Sequence, residues 1–193
     1  MCGIYITNLN YSRNQIKKKL DRIKFRGPDN TGFHKANNIS IAHLRLSIID
    51  LDDRSNQPFE FNGNFLTYNG EIYNYKSIRK KLIDLGYEFN TSSDTEVLIK
   101  GYDYWGSKVV DQLNGMFSFA IYDSTNQLIF CARDRLGVKP FYYYFENGKF
   151  EISSQISCLK RKNYEIDKDA INAYLKTGYI PSPLSIYEKI KKL

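Results

Sequence analysis

GMFSFAIYDSTNQLIFCARDRLGVKPFYYYFENGKFEISS, residues 115–154, places four short apolar and aromatic runs in quick succession. The runs GMFSFAIYD (115–123), LIFCARD (128–134), FYYYF (141–145) and KFEISS (149–154) have the β-branched and aromatic composition that suits a pleated sheet. The gaps between them are too short for the crossover that parallel strands need, so neighbouring strands must run antiparallel. Asn147-Gly148 reads as a hairpin turn between the last two.

Upstream, GIYIT (3–7) predicts a strand almost at the first residue, and the run from Ile39 to Leu46 and FLTYN (65–69) predict two more. Ile16, Leu20 and Ile23 recur at helical spacing among lysines, and RGPD (26–29) stops that helix. Ile78, Leu82 and Leu85 with Gly86 behind them predict a second helix, and Val97, Leu98 and Tyr102 after Ser93 a third. Downstream, a helix is expected over about 167–176, followed by a linker at YIPSP (179–183). Helices and strands fall in blocks without strict alternation, which predicts an α+β fold with helices layered on sheets and excludes a doubly wound parallel sheet.

At 193 residues, 42% hydrophobic, 15% aromatic and 25% charged, the chain has the proportions of one globular domain and not of a disordered chain. The 28 basic and 21 acidic residues leave a net charge of +7. Lysines in short clusters among acids read as a solvated surface, and a nucleic-acid groove is kept as a rival. The three cysteines, Cys2, Cys131 and Cys158, form neither a CxxC pair nor an even disulfide framework, which points to a reducing cytoplasm. No export signal or membrane-spanning run is read in the sequence. Neither cysteine nor histidine spacing suggests a zinc site. Cys131 and Cys158 are expected as core thiols and His34 as a surface loop residue.

Cys2 is the most informative position. Removal of Met1 would give one residue both a thiol and a free α-amine, whose reference pKa of about 7.7–8.0 suits a base taking the thiol proton near neutrality. A Cys/His dyad would have to use His34 or His43, the two histidines present. Alone, Cys2 would read as a small buried side chain in a first strand. It is accompanied, in order, by RGPD (26–29), HLRLSIIDL (43–51), YNGEIYNY (68–75), SDTEVL (93–98), GMFSFAIYD and RDRLGVKPFYY.

With these motifs the chain resembles, over about residues 2–193, the glutaminase domain of glutamine-hydrolysing asparagine synthetases, class II amidotransferases of the N-terminal nucleophile hydrolase fold. The resemblance implies a four-layer αββα sandwich and hydrolysis of glutamine to glutamate and ammonia. It identifies Cys2 as the nucleophile and Asn69 and Gly70 as an oxyanion hole. Arg45 becomes the clamp on the substrate α-carboxylate, completed by backbone groups of Leu46 and Ile48, and Glu71 and Asp94 hold its α-ammonium. Such a set meets a physical need: a selective glutamine pocket requires a cation, an anion and two donors beside the thiolate. Asn-Gly is also a common hairpin turn, but YNGEIYNYKSIRKKL runs straight into a helix with no returning strand. Ser93-x-x-Glu96 also fits a capping box with Asp94 in the first helical turn. RDRLGVKP reads as an architectural turn.

The same resemblance sets the boundaries: a glutaminase domain over 2–178 and a linker over 179–193 toward an ATP-dependent synthetase domain that the sequence does not contain. No metal or organic cofactor is implied for the glutaminase step, ATP and Mg belonging to that domain. Gln155 stands where such relatives usually carry glutamate. L-Glutamine and the synthetase domain or subunit are the expected partners, with no nucleic acid or membrane and with homodimer formation left open. The rival functions are a degenerate glutaminase fold kept for binding or assembly, and a basic nucleic-acid-binding domain.

Overall fold

The computed structural model describes residues 1–161 and 163–193. The chain forms β1 (Gly3–Thr7), α1 (Arg13–Asp21), β2 (Asn30–Ala36), β3 (Ile39–Arg45), β4 (Phe59–Phe61), β5 (Asn64–Ile72), α2 (Tyr75–Asp84) and α3 (Asp94–Trp105). It continues through β6 (Gly115–Asp123), β7 (Leu128–Arg133), β8 (Tyr142–Glu146), β9 (Lys149–Ser153), α4 (Ile156–Leu159), α5 (Lys168–Thr177) and β10 (Ile190–Lys192). All strand pairs are antiparallel, in a six-stranded sheet of order β10-β8-β9-β1-β3-β2 and a four-stranded sheet of order β4-β5-β6-β7.

Period-two alternation sorts the side chains into three separate cores. Ile4, Ile6, Ile39 and Ile41 of the larger sheet meet Phe65, Ala120 and Tyr122 of the smaller one. On the outer face of the smaller sheet, Leu66, Tyr68 and Ile72 pack against Ile78 and Leu82 of α2 and Val97 and Leu98 of α3. The outer face of the larger sheet carries Tyr5, Ala42 and Leu44 under Ile16 and Leu20 of α1 and Cys158 and Leu159 of α4. Three cores between four layers make the expected αββα sandwich. Among the described residues no helix is long and apolar enough to cross a membrane.

The structure departs from the sequence reading in several places. β2 was not predicted: NTGFHKA is only partly buried and weak in strand formers, and its pairing with β3 imposes the strand. His34 therefore sits in β2 and not in a loop, its ring stacked on Phe65 at 4.4 Å between centroids. Asn147 and Gly148, with φ of 49° and 72°, make the hairpin turn as expected. Asn69-Gly70 is no turn, lying within β5 opposite Ser118 and Phe117 of β6. The capping box at α3 does not form. Ser93 accepts from the Thr95 N–H, while Glu96 reaches back to Asn90 and Thr91. The stretch from Tyr179 folds back on the domain, and Ile190–Lys192 pairs with β8 as an edge strand.

Candidate active site

Antiparallel pairing of Gly3 with Leu44 sets the start of β1 beside the end of β3, so Cys2 lies against Arg45 and Leu46. The Cys2 Sγ receives the Leu46 N–H at 3.4 Å and faces the Leu46 carbonyl oxygen at 3.6 Å. Burial pushes the Cys2 thiol up from its ordinary value, and the Leu46 N–H with the Arg45 and Arg26 charges offsets part of that rise. A thiol in this setting is neutral until a base takes its proton. The RGPD corner holds the same end of the sheet: Arg26 Nε donates to the Cys2 carbonyl at 2.8 Å, and Asp29 accepts from the Ser47 N–H at 2.8 Å.

Arg45, at the end of β3, is 6% exposed. Its guanidinium donates to the carbonyls of Asp50 and Asp52 and to Asn56 Oδ1, so three of its five N–H bonds hold the following loop. Asp50, at φ 67°, ties that loop to the entrance of α3 by accepting from the Ser92 N–H at 2.7 Å and the Ser92 hydroxyl at 3.0 Å. Burial would raise the Asp50 carboxyl, but the Asp52 N–H at 2.9 Å together with the Ser92 bonds holds it down to about 2.

The opposite wall is the second half of β5. Asn69 is 1% exposed, and its Nδ2 has no hydrogen-bond partner among the described residues. A buried donor left open costs about 1–3 kcal/mol and is an invitation to an acceptor. At Gly70 a Cβ would stand 2.3 Å from the Met116 carbonyl oxygen, so only glycine lets β6 approach here. Glu71 follows at the rim, half-buried. Asp94, in the first turn of α3, accepts from the Tyr68 hydroxyl at 2.7 Å and the Ile72 N–H at 3.0 Å. Burial nonetheless pushes its carboxyl up, those two bonds opposing.

One cavity joins these groups. It encloses about 550 Å³ with its mouth included and is lined by Cys2, Arg45, Leu46, Ile48, Asn69, Gly70, Glu71 and Asp94. All eight residues singled out in the sequence thus meet at one place. Leu46 differs in detail, its backbone N–H and carbonyl both facing the Cys2 sulfur. Neither histidine lines the cavity. His43 is fully buried, its Nε2 bonded to the Tyr68 carbonyl at 3.0 Å, and burial lowers it to about 4, so it is a neutral link between the sheets. Among the described residues no group of three or more His, Cys, Asp or Glu could hold a metal ion.

Sequence reasoning missed Arg26, Asp50, Gln57, Tyr68 and Lys139. Gln57 accepts from the Tyr68 N–H at 2.6 Å, and Lys139 reaches the cavity from the turn after β7. Arg26, Asp50, Tyr68 and Lys139 all lie inside motifs already noted, and that was the available signal; Gln57 lies in none.

A model of the glutamine amidotransferase domain family matches residues 1–193. A putative glutamine-hydrolysing asparagine synthetase of Methanocaldococcus jannaschii is 38% identical over all of this chain and 42% of its own length. Asparagine synthetase 1 of Bacillus subtilis is 35% identical over 92% of this chain and 29% of its own length. The chain thus spans less than half the length of these relatives. Glutamine phosphoribosylpyrophosphate amidotransferase of B. subtilis superposes with a TM-score of 0.70 at 20% identity, covering 82% of this chain and 43% of that one. That likeness shows that the two share the fold.

Proposed function

Because the chain belongs to the family of glutamine amidotransferase domains, we propose that it hydrolyses L-glutamine to glutamate and ammonia with Cys2 as the N-terminal nucleophile. One observation carries this reading. The Cys2 sulfur, the open Nδ2 of Asn69, the Arg45 guanidinium and the Glu71 and Asp94 carboxylates border a single cavity, a concave site with a few convergent polar groups of the kind that orients a small molecule.

Loss of Met1 frees the Cys2 α-amine, which takes the thiol proton as the sulfur attacks the side-chain amide carbon of glutamine. Asn69 Nδ2 and the Gly70 N–H donate to the oxygen as it becomes negative. Collapse of the tetrahedral intermediate breaks the C–N bond, and the amine returns its proton to the departing nitrogen, which leaves as ammonia. Water then attacks the thioester, the amine passes the proton to sulfur, and glutamate is released. The two N–H bonds of Arg45 not spent on the loop are left for the substrate α-carboxylate, with Leu46 and Ile48 lining that side. Glu71 and Asp94 face its α-ammonium.

The ammonia is supplied to an amide-forming, ATP- and Mg-using synthetase, with aspartate as the default acceptor because the relatives are asparagine synthetases. The connection toward it starts from residues 179–193, of which Ile190–Lys192 are held on the glutaminase domain as the edge strand beside β8, and a cytoplasmic location fits this chemistry. The glutaminase step itself uses no metal or organic cofactor.

Intact mass should show Met1 absent, and a glutamine-like electrophile should add to Cys2 alone. Cys2→Ala should lose all ammonia release. Full activity from protein that keeps Met1 or carries an acetylated amine overturns the mechanism. Inactive wild-type protein that leaves Cys2 unlabelled would instead favour a binding or assembly module.

A further inference from the structure

The turn after β7 supplies a lysine for which the mechanism above has no use. Lys139 is 6% exposed and lines the Cys2 cavity. Its backbone is fixed from both sides, its N–H donating to Asp134 at 3.0 Å and its carbonyl accepting from Arg133 Nε at 2.6 Å. The ammonium touches Met1 Sδ at 3.4 Å. A thioether is a weak acceptor and no counter-ion. Among the described residues Lys139 forms no salt bridge.

Cleavage after Met1 removes that sulfur and creates a new amine on the adjacent residue. Arg26 stands on the same side, its Nε on the Cys2 carbonyl and its Nη2 without a partner among the described residues. Asp29 is the nearby carboxylate, occupied by the Ser47 N–H. The other charged and titratable groups of the cavity are the Cys2 thiol, Arg45, Asp50, Glu71, Asp94 and Tyr68. Arg45 and Asp50 are engaged with the loop and with Ser92, and Tyr68 with Asp94. The charges that act on the amine at this end of the chain are Arg26 and Lys139 on one side of the balance and the Cys2 thiolate and Asp29 on the other, while Glu71 and Asp94 border the same cavity.

We propose that Lys139 sets the charge of the catalytic base: its ammonium, released from Met1, keeps the Cys2 α-amine in the unprotonated form that accepts the thiol proton. The physical cause is repulsion between two cations in a poorly screened space, which penalises the protonated amine. The Met1 amine already lies below its ordinary value, first through burial and then through Arg26 and Lys139, against Cys2 and Asp29. The inference rests on the glutaminase reading, with Lys139 acting through the amine and not on the substrate.

The test is the pH dependence of kcat/KM for glutamine hydrolysis by wild-type, Lys139→Met and Lys139→Arg protein, each shown by intact mass to lack Met1. In Lys139→Met the acid-side limb should move up by about one pH unit, a loss of about tenfold below both limbs. Lys139→Arg should bring it back. The midpoint does not depend on how much of a variant folds. Trace acetylation of the Cys2 amine with acetic anhydride across pH, read by peptide mass, reports the same titration without turnover. A Lys139→Met profile that coincides with wild type in the acetylation titration overturns the inference and leaves the glutaminase reading standing. Ammonia release that survives Cys2→Ala overturns that reading instead.

Discussion

Removing the Asn69 amide deletes a buried donor that has no other partner among the described residues, so its loss should fall on the reaction and not on the fold. Asn69→Ala should lower kcat by about 10²- to 10³-fold with little change in KM, measured by steady-state glutamine hydrolysis. Asp94 gives the opposite signature. Its Oδ2 accepts from Tyr68 and Ile72, and an asparagine oxygen can accept both. An acid held above its unfolded value by burial costs stability at neutral pH, so Asp94→Asn should melt no lower than wild type. Losing the charge should raise KM for glutamine about 10- to 100-fold, the worth of a charged hydrogen bond of ~1.5–3 kcal/mol. A fall in melting temperature with KM unchanged would make Asp94 a structural residue.

At the scale of elements, the site depends on how α3 is held at its start. Glu96, 1% exposed, pairs with Lys100 at 2.7 Å and accepts from the N–H groups of Asn90 and Thr91. Lys100 in turn lies over the rings of Phe61 and Phe89 and donates to the Glu88 carbonyl. This network fixes the loop that leads to Ser92, Ser93 and Asp94. Glu96→Gln strands a buried ammonium and should cost about 3–5 kcal/mol in denaturant unfolding. The motif SDTEVL was legible as a helix start, but a capping box is a local pattern, and the glutamate was drawn instead to a lysine one turn on. β5 poses a similar problem, since a dipeptide that favours turns is kept extended there by its pairing with β6.

For the whole molecule, a pattern shared by several carboxylates, Asp50 and Asp167 among them, governs its response to acid. Burial alone would raise Glu96, Asp123 and Asp134, but hydrogen bonds overcome it and hold all three below their ordinary values. An acid depressed in the folded state contributes stability that is complete above its unfolded value and is lost as pH falls through the folded one. Thermal melts should therefore decline on acidification below about pH 4.5, the ordinary value of Glu96, and Glu96→Gln should show a shallower decline. The lysine clusters behind the +7 charge are interleaved with acidic residues along the chain, and no retardation of DNA or RNA is expected in low-salt gels. The amino-acid sequence by itself determined most of the antiparallel strands and the helices, because periodicity and turn chemistry are local properties of a chain, and its ordered motifs, through their resemblance to a known family, singled out eight residues that line one cavity. Only the tertiary structure decided that β2 and β10 are strands, that His43 is a neutral tie, that Arg45 spends three N–H bonds on its own loop, and that Lys139 faces the first residues. Each of these depends on what distant segments place within a few ångströms, and neither spacing nor composition carries that distance.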